Sequence, residues 1–218
     1  DLNKIPPGNF VFLIDVSGSM DMPNRLPLLK ASFQLFVKNL RTIDTVSIVT
    51  YGGTVGIHLQ PTSGAEKEKI TKSIEELDAS GDTPGEAAIL TAYGMARSSF
   101  IKDGNNRVIL ATDGDFNVGA ASEKALEDLI SKEKQSGVFL TCLGVGMGNF
   151  KDSKLETLAK RGNGNYAYLD DIAEAEKVLV KELTQTFYAV ADDVYMNTQF
   201  NPKWVKEYRL IGFDNKRD

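Results

Sequence analysis

The chain has 218 residues, 42% of them hydrophobic and 25% charged, a globular composition with enough apolar material for a sizeable core and one that argues against disorder. Its net charge is -5 and no Lys/Arg cluster interrupts that balance, which argues against sequence-independent binding to nucleic acid and against a basic membrane-surface helix. The one cysteine, Cys142, excludes an internal disulfide, and no apolar run approaches the roughly 18 residues of a transmembrane helix.

The length fits one large α/β domain, or one with a small appendage. The start at Asp1 carries neither an initiator Met nor a signal-peptide pattern, so the chain is expected to begin inside a longer precursor. Residues 10–15, FVFLID, form a continuous apolar run closed by an acid, which predicts a strand covered on both faces. From about 24 to 41, Leu28, Leu29, Phe33, Phe36, Val37 and Leu40 recur at helical spacing. Residues 46–51 read as a second strand, and Gly52-Gly53 turns it into an antiparallel edge strand over 54–60. Helical patterns follow at about 65–77 and 84–99. A buried strand over 106–112 ends at Asp113, a helix over 122–135 precedes a strand at 138–143, and a helix over 152–161 leads to a short strand at 165–169. Asp170-Asp171 then opens a last helix, to about 187. This alternation predicts an α/β fold: a doubly wound, mostly parallel, Rossmann-like sheet with one antiparallel edge strand.

Near Ala191 the period changes to two. Val194, Met196, Thr198 and Phe200 alternate with polar neighbours, and the alternation resumes from Val205 after Asn201-Pro202. That pattern predicts a β-hairpin. Two strands alone are marginal in water, so the boundaries are 1–190 for the main domain and 191–218 for a hairpin that opens a C-terminal β-module. Trp204, beside the turn, would anchor that module.

In open α/β sheets, sites form beyond the carboxyl ends of the strands. The first strand ends in Asp15-Val16-Ser17-Gly18-Ser19, whose alternating oxygen side chains can converge if the loop curls at Gly18. A middle strand ends in Thr112-Asp113-Gly114, and between them Ser80-Gly81-Asp82-Thr83-Pro84-Gly85-Glu86 enters a helix. Each fragment has a plain structural reading as well: a turn cap, a capping box on Thr83 with Glu86, and a tight turn at Asp113-Gly114. Together they place two carboxylates and three hydroxyls at one sheet edge, without histidine or cysteine. Hard oxygen donors suit Mg²⁺, Mn²⁺ or Ca²⁺ rather than zinc.

These fragments resemble the metal-ion-dependent adhesion site of von Willebrand factor A-type domains, and the order of elements is similar over roughly residues 9–188. The resemblance implies that Ser17 and Ser19 ligate a divalent ion directly, and that Asp15, Thr83 and Asp113 do so directly or through water. It implies Mg²⁺ first, with Mn²⁺ or Ca²⁺ as alternatives, and a protein partner whose Glu or Asp completes the coordination. The tail resembles that of bacterial A-domain proteins with an additional C-terminal β region, which implies an extracytoplasmic, lipid-anchored parent. Asp82 departs from the pattern, since many members have glycine there.

Two other functions compete: a Mg²⁺-dependent phosphohydrolase or phosphotransferase, and a scaffold whose metal only stabilises loops. Aspartyl-phosphate chemistry wants a second acid two residues after the first, where Ser17 stands, and a lysine at a strand end. Gly144-Val-Gly-Met-Gly148 departs from the dinucleotide-loop spacing. His58, the single histidine, leaves Ser17 and Ser19 without an obvious base. Tyr51, Tyr166 and Tyr168 read as packing residues, and the acidic stretch 123–133 reads as a solvated helix face.

Overall fold

The apolar runs become the strands of one sheet in a computed structural model that describes residues 6–52, 55–81, 85–114, 123–146, 153–182 and 197–208. Strands β1 (Gly8–Asp15), β2 (Thr45–Tyr51), β3 (Gly56–Ser63), β4 (Asn105–Thr112), β5 (Val138–Val145) and β6 (Tyr166–Leu169) lie in the order β3-β2-β1-β4-β5-β6. All neighbours are parallel except β2 and β3, which are antiparallel. Every residue of β1 and β4 is buried, which is why their sequences show no polar alternation. β3 runs on to Ser63 through Pro61, which an outermost strand tolerates.

The helices are α1 (Leu26–Asn39), α2 (Lys67–Glu75), α3 (Gly85–Ser98), α4 (Glu123–Gln135), α5 (Ser153–Arg161) and α6 (Ile172–Glu176), the last continuing as a π-helical segment, Lys177–Glu182. Asp171 caps α6 by accepting from the Glu174 N–H at 2.8 Å. Successive side chains of a strand point to opposite faces, and β1 divides accordingly. Phe10, Phe12 and Ile14 join Phe33, Phe36, Val178 and Leu179 in one core. Val11 and Leu13 join Ile89, Tyr93, Ile130 and Leu155 in the other. Phe12 stacks on Phe33 with ring centroids 4.3 Å apart and meets Phe36 edge-on at 5.4 Å. The α4 surface departs from a uniformly solvated face, because Glu133 is buried and paired with Arg97. None of the described helices is long and apolar enough to cross a membrane.

The chain divides into two units, Asp1–Tyr188 and Ala189–Asp218. In the second, residues 197–208 contain the expected turn but no strand. Asn201 C=O accepts from the N–H groups of both Trp204 and Val205 at 3.0 Å. This local bonding turns the backbone back on itself instead of offering it to a ladder. Phe200 and Tyr208 meet with centroids 4.3 Å apart. The rest of the expected hairpin lies outside the described residues.

At the amino ends of β1 and β4, where apolar packing stops, a pair of buried asparagines closes the sheet. Asn9 and Asn106 are register partners, and Asn9 Nδ2 donates to Asn106 Oδ1 at 3.1 Å and to Ala96 C=O at 2.9 Å. Asn106 also accepts from Ile101 N–H at 2.8 Å and donates to Ile101 C=O at 2.9 Å. The pair thus ties the end of α3 and the following turn to the first residues of β4. Asn106→Ala would take the side-chain acceptor from the part-buried Ile101 N–H and from buried Asn9 Nδ2, and lost partners of this kind are costly. The expected loss is about 2–3 kcal/mol of unfolding free energy by urea denaturation; a loss below about 0.5 kcal/mol would show that these bonds do not anchor the strand.

Candidate metal centre

β1 sits between β2 and β4, and its carboxyl end faces the edge where the connections diverge to the two sides of the sheet. Asp15 is the last residue of β1 and the register partner of Tyr51 at the end of β2. Thr112 ends β4 one step beyond the Ile14–Ala111 pair. The loop after β1 is tied on two sides: Val16 N–H donates to Tyr51 C=O at 2.7 Å, Ser80 N–H to Val16 C=O at 2.6 Å, and Gly18 N–H to Gly81 C=O at 3.1 Å. Gly52 permits the close approach, since its φ is +135° and a Cβ there would lie 2.3 Å from the Ser17 nitrogen.

Asp15 is 1% exposed. Its Oδ1 accepts from Ser17 N–H at 2.9 Å; its Oδ2 accepts from the Thr112 hydroxyl at 2.9 Å and the Tyr51 hydroxyl at 3.2 Å. Burial pushes its carboxyl above the usual aspartate range, the hydrogen bonds from Ser17 and Thr112 pull it back, and the charge of Asp113 adds to the rise. Burial, and then the charge of Asp15, push the Tyr51 phenol well above its ordinary value, so Tyr51 serves as a neutral donor. Ser17 Oγ and Ser19 Oγ are 3.1 Å apart, Ser17 half-buried and Ser19 exposed.

Asp113 is buried and meets a different partner. Arg25 Nη1 lies 2.6 Å from Asp113 Oδ2 and also 2.6 Å from the Ser19 carbonyl oxygen. Thr112 Oγ1, besides donating to Asp15, accepts from Gly114 N–H at 3.2 Å, which shapes the turn after β4. One linked set of hydrogen bonds thus joins Asp15, Ser17 and Thr112, and contacts through Ser19 and Arg25 reach Asp113. Thr83 and Asp82 lie outside the described residues, although Ser80 and Gly81 just before them are bound to the loop after β1. Sequence reasoning missed Tyr51, whose only signal is its place at the end of β2, and Arg25, which carries no motif.

No group of three or more His, Cys, Asp or Glu side chains among the described residues is arranged to hold a metal. A cation at this edge would therefore draw on serine hydroxyls beside the two carboxylates. That donor set fits a hard divalent ion and is poor in the nitrogen and sulfur that zinc or copper prefer.

The family model for the von Willebrand factor type A domain matches residues 9–183, and one described as "Uncharacterized protein YfbK, C-terminal" matches residues 185–217. The chain is 47% identical over 214 residues to Uncharacterized protein YfbK of Escherichia coli (strain K12), a match covering 98% of this chain and 37% of that protein. The chain thus spans little more than a third of that relative's length. Two solved structures share the fold. A von Willebrand factor type A protein from Catenulispora acidiphila has a TM-score of 0.68 at 19% identity, over 82% of this chain and 42% of its own. Manganese-loaded TRAP protein from Plasmodium vivax has a TM-score of 0.64 at 22% identity, over 82% and 74% respectively.

The raised Asp15 carboxyl has a consequence for stability. The native state holds its proton more tightly than the unfolded chain, whose aspartates titrate near about 4. Between that value and the raised one, native protein binds more protons, so this residue's contribution to stability falls as pH rises. The amide introduced by Asp15→Asn cannot ionise. In EDTA, the melting temperature of Asp15→Asn minus that of wild type should increase from about pH 3.5 upward and then level off. A difference that stays flat, or shrinks, across that range contradicts a desolvated Asp15.

Proposed function

The chain belongs to the von Willebrand factor type A family, and on that footing we propose that it is a divalent-metal-dependent protein-binding module. Domains of this family are mostly interaction modules rather than enzymes. In this reading Ser17 and Ser19 hold the ion directly, and Asp15, Thr83 and Asp113 hold it directly or through water. The observation that carries the reading is the gathering of Asp15, Ser17, Ser19 and Asp113 at one sheet edge, with Ser17 and Ser19 hydroxyls 3.1 Å apart. Mg²⁺ is the first choice, with Mn²⁺ or Ca²⁺ as alternatives; one neighbour of the same fold is a manganese-loaded protein.

A divalent ion held there supplies a positive centre with a coordination position open to an anionic oxygen. Two carboxylates nearly neutralise it and serine hydroxyls add no charge, so the ion can still accept an anionic oxygen at that open position in place of a water. The partner group is accordingly a Glu or Asp side chain. Asp15 is buried and braced from three directions, so it orients the loop, while exposed Ser19 faces the side from which a partner can approach.

The domain division proposed is 1–190 for this module and 191–218 for the opening of a C-terminal β-module, in keeping with the separate family match over 185–217. An extracytoplasmic, lipid-anchored parent rests only on the resemblance of the architecture to bacterial A-domain proteins.

Calorimetric titration with Mg²⁺ and Mn²⁺ tests the reading. Wild type should bind one ion, and Asp15→Ala should lose affinity by on the order of 100-fold or more. Chelation should lower the melting temperature of wild type but not of Asp15→Ala. Well-folded wild type that takes up neither ion would refute the metal site.

A further inference from the structure

The Arg25 side chain reaches the candidate site from outside every motif that defines it. Arg25 immediately precedes α1, with non-helical backbone angles (φ -122°, ψ -108°), and its side chain takes no part in capping the helix. It is directed instead across the sheet edge, where Nη1 contacts both Asp113 Oδ2 and the Ser19 carbonyl. Its stem runs over Gly146, just past β5. A Cβ at Gly146 would lie 2.4 Å from Arg25 Cγ and 2.5 Å from Nε, and the residue's φ is +72°. Any side chain at 146 would therefore displace this stem.

We propose that Arg25 is a built-in counter-cation that competes with the divalent ion for Asp113 and so sets the metal affinity of the site. The proposal rests on the metal-site reading above. A guanidinium and a divalent ion drawing on the same carboxylate repel one another, and both gain from that carboxylate's charge. Without Arg25 the two aspartates present a charge of about -2 to an incoming ion; with it they present about -1. The arginine's hold is also incomplete. Its Nε is buried without a hydrogen-bond partner, and an unsatisfied buried donor is costly. Swinging outward returns that group to water, which offsets part of the lost ion pair and keeps displacement within reach of a divalent ion.

The test is Mn²⁺ calorimetry on the whole chain, comparing wild type, Arg25→Gln and Arg25→Met, with Asp15→Ala as the marker of the site. Met preserves much of the apolar stem beside Gly146, so the pair guards against a folding defect in one variant. Both uncharged variants should bind Mn²⁺ on the order of tenfold more tightly than wild type. In EDTA they should melt lower than wild type, and Mn²⁺ should raise their melting temperature by more than it raises that of wild type. Equal or weaker Mn²⁺ binding by both variants, with wild type still binding, overturns the role of Arg25 and leaves the metal site standing. No binding by any protein, the Arg25 variants included, removes the metal site and this proposal together.

Discussion

A carboxylate shut away from water at the end of a central strand must be solvated by the protein itself. Asp15 is in that position, 1% exposed, and burying an ionised acid without partners is among the more expensive things a fold can do. The three donors that meet it come from three places: the loop that follows β1, the last residue of β2 and the last residue of β4. The need of one side chain therefore fixes how three segments end. Thr112 then passes the order on to the turn at Gly114. Asp113, one residue further, is handled differently, with a guanidinium against one oxygen. The two acids of the site are thus stabilised by unlike means, neutral hydrogen bonds for one and an opposite charge for the other.

The apolar core is what allows this edge to be so constrained. Phe12 and Ile14 are gripped by α1 on one face while Val11 and Leu13 are gripped by α3 and its neighbours on the other. A strand locked on both faces cannot slip in register, because a shift by one residue would exchange its two sets of side chains. Asp15 consequently inherits its place from the apolar residues before it, which have no chemistry of their own.

Much of this was legible beforehand. The continuous apolar runs at 10–15, 106–112 and 138–143 read as strands, the first two as buried ones, and the acids and hydroxyls that follow those two marked the edge that matters. The opening of the last helix at Asp170-Asp171 was equally visible, although only the structure shows that Asp171 is the acid that caps it. What escaped notice depends on distance rather than on local pattern. Tyr51 reads as an apolar strand end until β2 is set beside β1, when its hydroxyl meets Asp15. Arg25 stands 88 residues from Asp113 in the chain, and nothing near it hints at that reach. Glu133 sits in a stretch of alternating charges, and only the helix's packing shows that it is buried against Arg97. In the tail the expected turn closes on Asn201, but the residues on either side of it within 197–208 form no strand, since alternation describes side chains and says nothing of a ladder partner.

The wide spacing of these partners also bears on the order of events during synthesis. Asp15 and the two serines are translated before the Thr112 hydroxyl that braces Asp15, which lies 97 residues later, and β4 must be inserted beside β1 before the edge exists. Pairings of such separation form late, because the intervening chain has to be closed first. A nascent chain carrying the complete Asp15–Ser19 loop but not yet β4 therefore lacks the Thr112 brace that Asp15 has in the finished domain.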